Sequence, residues 1–421
     1  MSEFLAYFAF IMLLVVTCVI VNEKIFKIPP EIALLIFAMI IGIIFKGLLV
    51  TGIMKPGGTI IETISTFSID EVLMDALLCF MLFSGASDLK FKSLLKNFES
   101  ISLLALLTTV ITALIYGGLF YAVACLLSIP VSFSMCVLLG AIVSPTDPIA
   151  ATGILNKLGL PDDITAVMEG ESLFNDGTGV ALFIFVKGIV TNTKEKNFFL
   201  VMAQELIGAI VVGVVISFVC SQIIKQTKNE VYHILVSLFA VSTCYAISEV
   251  LGCSGAIASV ICGIYFATVM ENYKEKGLID ANGEKYEGFW STVDKIFNYV
   301  LYVLIGISFI HVSRVKYMFI IAIAAIVINF IARYIGVFAS TVIDKKVPVG
   351  YSYSKFTVLM TWSGLKGGLC LALVMSIIRD IPTDAYNMML YIVFVTILFT
   401  TIVQGLTVAK LYLQLEKSVK G

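Results

Sequence analysis

Most of the residues able to do chemistry lie in three stretches of an otherwise apolar chain. The densest is Glu169-Gly170-Glu171-Ser172-Leu173-Phe174-Asn175-Asp176-Gly177-Thr178-Gly179. On a helix, Glu171 with Asn175 and Ser172 with Asp176 are i, i+4 pairs in adjacent columns, so four oxygen-bearing side chains share one face. Oxygen ligands suit hard cations, and a poorly solvated carboxylate can take up a proton as readily as a metal ion. Glu169 reads as a solvated helix end. Asp176 does not, because the apolar run Val180 to Val186 follows it. In the second stretch, Ser144-Pro145-Thr146-Asp147-Pro148 interrupts an apolar run from Val137 to Leu155. The third, Trp362-Ser363-Gly364-Leu365-Lys366-Gly367-Gly368, sets a lysine among glycines. Arg333, in Asn329-Phe330-Ile331-Ala332-Arg333, is a further charge in an apolar setting.

The elements that position these residues must be membrane helices. The chain has 421 residues, 59% of them hydrophobic and 14% charged, with a mean hydropathy of +1.02. Soluble domains run about 45–50% apolar and 25% charged, so a soluble fold is excluded and lipid is the first partner. A net charge of −1 gives no reason to expect nucleic acid. The nine cysteines form no CxxC pair, and His233 and His311 have no ligand-spaced partner, so neither a metal centre nor a cofactor site is suggested. Runs of about 20 apolar residues fall near 4–21, 31–50, 68–87, 100–128, 132–157, 163–189, 198–224, 231–251, 254–271, 290–312, 315–343, 356–378 and 386–413. The expectation is an all-α polytopic membrane protein of about 13 transmembrane helices, the first of them retained rather than cleaved as a signal. The third run, with Asp70, Glu71 and Asp75 at its start, is the weakest. With the N-terminus outside, eighteen basic residues fall on the inner side and eight on the outer. The positive-inside rule therefore predicts an outer N-terminus and a cytoplasmic C-terminus. Arg333 and Lys366 are left deep within spans.

Spans five and twelve are broken. Pro145 and Pro148 remove two amide donors and clash with the preceding turn, while Gly364, Gly367 and Gly368 let the backbone unwind. Irregular backbone at membrane depth is tolerated only where it is buried in protein or lines a polar cavity. Two broken helices in corresponding positions, seven spans apart, point to inverted repeats and a midplane site, as in secondary transporters. Lys366 would neutralise the negative C-terminal poles of crossing half-helices. Arg333 needs a carboxylate, and Glu171 is chosen so that Asp147 and Asp176 can carry the exchange.

SPTDPIAATGIL followed by EGESLFNDGTGVALF, with DLKFKSLLKN, the span-eleven arginine and WSGLKGGLCLAL, resembles the monovalent cation:proton antiporter-1 family, the sodium/proton antiporters of NhaP and NHE type. The resemblance implies a homodimer in the cell membrane with NhaA/NhaP-like inverted repeats. Each protomer would have dimerisation parts 1–97 and 231–313, core parts 98–190 and 314–421, and a linker helix 191–230, the core moving elevator-fashion. It also implies a cation and proton site of Asp176, Asp147, Thr146, Ser172 and Glu171, supported by Asn175, Arg333, Lys366, Pro145 and Pro148. Sodium, and lithium too, would exchange electroneutrally for a proton, since asparagine stands before Asp176, and no cofactor or enzymatic activity is implied.

Two departures stand out. Relatives usually carry arginine at the position of Lys366, and many carry an acidic residue where this chain has Ser84. The rival readings are a potassium/proton antiporter, which could use the same oxygens, a cation channel, and an intramembrane aspartyl protease using Asp147 and Asp176. The protease would need YD and GxGD motifs, which are absent, and a channel would show a repeated filter or a pore ring.

Overall fold

The computed structural model describes residues 2–51, 77–87, 91–147, 149–192, 200, 203–276, 284–345 and 352–417. Pro148, the acidic start of the third apolar run and residues 277–283 of the longest polar stretch lie outside them. Among the described residues the chain is all helix, without a strand. In chain order the elements used below are α1 (Ser2–Val21), α2 (Pro30–Val50), α3 (Leu78–Ser87), α4 (Phe98–Leu126), α5 (Phe133–Val143), α6 (Ile149–Lys157) and α7 (Asp162–Val190). They continue with α8 (Gln204–Ile224), α9 (Glu230–Val250), α10 (Gly255–Glu275), α11 (Glu284–Ile307), α12 (Met318–Asp344), α13 (Tyr353–Ser363), α14 (Gly368–Met375) and α15 (Thr383–Glu416).

Ten of these helices are long and apolar enough to cross a membrane, and α13 with α14, bent by 57°, makes an eleventh span. The chain is an integral membrane protein. Leu78–Ser87 and Phe133–Val143 are shorter apolar helices. Each of the thirteen apolar runs thus contains helix, while ten or eleven meet the length and composition of a span among the described residues.

The helix starts follow from local chemistry. The Ser132 hydroxyl accepts from Met135 N ahead of α5, Asn229 from Val231 N ahead of α9, and Ser352 from Lys355 N ahead of α13. Each satisfies an amide that the first turn leaves without a partner. Pro161 precedes α7, whose first turn carries Asp162 and Asp163 where acidic side chains favour a helix start. Packing then gathers α4, α5, α12, α14 and α15 around Tyr116, Leu138, Ile142, Ala332, Leu371 and Val393. A separate cluster joins α3, α9, α10 and α11 around Phe83, Cys244, Phe266 and Trp290. The candidate site lies between these two groups of helices.

Candidate functional site

The break after α5 is held open by hydrogen bonds that replace the ones proline cannot make. Pro145 has no N–H to offer Ala141 O, and the Ser144 hydroxyl donates there instead, at 3.0 Å. Pro148 likewise has no N–H for Ser144 O, which accepts from Lys366 Nζ at 3.2 Å. The same ammonium donates to Pro145 O at 3.2 Å. Lys366, 1% exposed, therefore caps the carbonyl end of α5, where the helix dipole is negative.

The second break crosses the first. Asp147 N donates to Leu365 O at 2.9 Å, joining the two unwound segments directly. Lys366 N donates to Thr400 Oγ1 on α15 at 3.1 Å. Gly367 is required by the approach: a Cβ there would lie 2.8 Å from both Cβ and Oδ2 of Asp147, closer than real contacts allow. Gly179 on α7 serves in the same way, since a Cβ would run into the Pro145 ring.

Helix α7 supplies the remaining groups. Asn175, fully buried, donates from Nδ2 to Thr146 Oγ1 at 2.8 Å and to Glu171 Oε1 at 3.3 Å, and its Oδ1 accepts from Thr146 N at 3.4 Å. Ser172 Oγ donates to Thr146 O at 2.6 Å. One asparagine and one serine thus pin the unwound segment to α7. Glu171 takes both Arg333 nitrogens, Nη1 at 2.5 Å and Nη2 at 2.8 Å, a bidentate pair with each side chain 3% exposed. Arg333 Nη2 also reaches Met360 O at 3.4 Å.

Asp147, Asp176, Thr146, Ser172 and Pro145 line one cavity of about 200 Å³. A water needs only about 10–15 Å³ on this measure, so the space suits a cation with part of its hydration shell. Both aspartates are half-buried. Glu171 is not in the lining; it faces Arg333 instead. Asn175, Arg333 and Lys366 stand behind the lining and hold it. Pro148 lies outside the described residues.

Two carboxylates in the cavity wall were not singled out from the sequence. Glu169 read as a solvated end, yet it shares the cavity face of α7 with Ser172 and Asp176. Asp294 on α11 was passed over, although a charge inside the apolar run 290–312 was the available signal. Ser84, the departure on α3, is fully buried with its hydroxyl donating to Trp290 O at 2.9 Å. The adjacent Gly85 faces the cavity.

Comparison with known proteins agrees with this geometry. Residues 10–414 match the family described as sodium/hydrogen exchanger, transmembrane. The chain is 29% identical over 411 residues to the Na(+)/H(+) antiporter NhaP of Pseudomonas aeruginosa, covering 93% of this chain and 92% of that one. It is 27% identical over 405 residues to the Na(+)/H(+) antiporter NhaH of Halobacillus aidingensis, covering 94% of each. Among solved structures, the sodium proton antiporter MjNhaP1 from Methanocaldococcus jannaschii at pH 8 superposes with a TM-score of 0.77 at 22% identity, over 98% of this chain and 99% of that chain. At that identity the superposition establishes the fold.

Proposed function

The chain belongs to the sodium/hydrogen exchanger family, and on that premise we propose that it exchanges sodium for protons across the cell membrane, with Asp176 and Asp147 as the shared carriers. The family is one of transporters, not enzymes. The observation that carries the reading is that these two carboxylates line one cavity at the crossing of the unwound segments, behind which Glu171 is bound by Arg333 and Lys366 by the α5 carbonyls. Thr146 and Ser172 complete the oxygen set on the cavity wall. Glu171 acts through its hold on Asn175 and Arg333.

Charge supports a 1:1 exchange. Glu171 cancels Arg333, and with Lys366 charged the two aspartates leave the crossing itself at one net negative charge, with Glu169 and Asp294 further along the cavity wall. One sodium ion, or one proton, brings the crossing to zero. The loaded and protonated carriers then cross with equal charge, so exchange is electroneutral. Lithium, also a hard cation, fits the same oxygens. Potassium could use them too, but the relatives described above are sodium/proton antiporters by name.

The cavity walls suggest how access alternates. One wall is built from the unwound segment after α5 together with α6, α7 and the start of α14, the other from α3 and α11. In the division proposed here, core parts 98–190 and 314–421 slide past dimerisation parts 1–97 and 231–313, with 191–230 as linker, in a homodimer. The N-terminus lies outside and the C-terminus in the cytoplasm. The lining residues Glu169 and Asp294 fall in the N-terminal halves of α7 and α11, so in this orientation the cavity opens inward.

The test is proton flux in proteoliposomes under imposed gradients of sodium, lithium or potassium. Sodium and lithium gradients should drive proton movement whatever the membrane potential, and Asp176→Asn should abolish it. Near wild-type flux in that variant would overturn the site assignment, and flux driven by potassium alone would overturn the ion.

A further inference from the structure

Resting on the proposed site and domain division, we infer that Asp294 sets the cation affinity of one face of the carrier and has no counterpart effect on the other. The inference starts from which wall each cavity carboxylate belongs to. Asp147, Asp176 and Glu169 sit on the helices around the crossing, and Glu169 lies two turns from Asp176 along α7, on the same face of one rigid helix. These three move together. Asp294 comes from α11, across the cavity. No lining residue of α3 is acidic: Leu78, Met81, Leu82 and Gly85 face the cavity, and Ser84 is turned into the packing against Trp290. Among the described residues Asp294 is thus the sole cavity carboxylate outside the moving group.

Its place is fixed from both sides. Trp290, one turn before it on α11, takes the Ser84 hydroxyl on its carbonyl and donates Nε1–H to Ser237 Oγ at 3.1 Å. Leu301, two turns after it, packs against Gly368 at the start of α14. Asp294 thus lines the cavity opposite a moving group, Glu169 included, that is more negative by one charge when empty than when loaded. A stationary negative charge disfavours the empty carrier relative to the cation-loaded one, so it raises cation affinity while the site faces it. When the core moves away, Asp294 stays behind with α11, and the field falls off with distance and screening. The carrier acquires two affinities from one set of ligands.

The experiment measures the apparent KM for sodium from each face in proteoliposomes of known orientation, at a pH above the acid limb, where protons no longer compete for the carriers. Asp294→Asn should raise KM about three- to tenfold on the face shared by the N-terminal ends of α7 and α11, and leave the other face unchanged. The increase should shrink when ionic strength is raised with a non-transported salt, which a merely structural change would not produce. Asp294→Glu should restore the wild-type KM, and Asp294→Ser repeats the charge removal with a different side chain. Equal KM values for wild type and both neutral variants, or an equal change on both faces, would overturn the inference. Asp176→Asn run alongside separates the two levels. If it exchanges normally, the site reading fails; if it is inactive while Asp294→Asn is unaltered on both faces, only the role of Asp294 fails.

Discussion

Glu171 and Asp176 are carboxylates little more than a turn apart on α7, but five residues place them about 140° apart around the helix, and they lie in opposite environments. Glu171 is 2% exposed and bound at both oxygens by Arg333. Asp176 is half-buried and lines the cavity. The helix turns them toward different neighbours, and those neighbours fix what each can do. A carboxylate whose oxygens are taken by a fixed guanidinium is structural, whereas one that opens on a hydrated space can exchange one cation for another. Removing one partner of a buried pair leaves an uncompensated charge, whereas neutralising Asp176 removes a like charge from beside Asp147.

That contrast predicts a crossing of effects. Asp176→Asn should abolish exchange completely while its melting temperature in detergent stays at or above wild type, checked by proton flux and a thermal melt on the same preparation. Arg333→Ala should cost about 3–5 kcal/mol by stranding Glu171 and lower the melting temperature far more than Asp176→Asn does. Adding Glu171→Gln to Arg333→Ala should recover part of that loss, since the stranded charge is gone. Equal melting temperatures for Arg333→Ala and Asp176→Asn would erase the distinction between the two carboxylates.

A smaller effect is expected where only the placement of a carrier changes. Gly367→Ala puts a Cβ 2.8 Å from the Asp147 carboxylate, so Asp147 must shift while every charge remains. Loss of a well-aligned ligand by a fraction of an ångström should lower kcat/KM for sodium by roughly tenfold, with the melting temperature closer to wild type than in Arg333→Ala. Sodium titration of proton flux reads it. Unchanged titration would mean that Asp147 does not need its present position.

Much of this was legible before the fold. Apolar runs located the helices, and proline and glycine located both breaks, because each acts through its own backbone chemistry. Arg333 demanded a carboxylate, and Glu171 meets it. What stayed hidden depends on packing between distant segments. The Ser144 hydroxyl that stands in for the missing Pro145 amide is a local contact, but nothing local says that Lys366 reaches back to Ser144 and Pro145. Glu171 could not be told from the cavity ligands by spacing, because a helical face does not record which neighbour it meets. Asp294 belongs to the cavity only because α11 packs against α14 and faces α7 across that space.

The mildest perturbation leaves every residue in place and varies the ligands alone. If sodium and protons share Asp176 and Asp147, each excludes the other, and linkage fixes the sign of the result. At low pH the carboxylates are protonated and sodium uptake fails; at high pH the proton half-cycle fails, giving a bell-shaped rate. More sodium must therefore displace the proton at a lower pH. Each tenfold increase in sodium should move the acid limb toward lower pH by up to about one unit, with no change in maximal rate. A separate sensor in the polar stretch between Lys274 and Glu287 would switch the rate at one pH at any sodium level. Sodium varied over roughly two orders of magnitude distinguishes them: an acid limb that stays put would remove the competition from Asp176 and Asp147 and transfer pH control to that stretch.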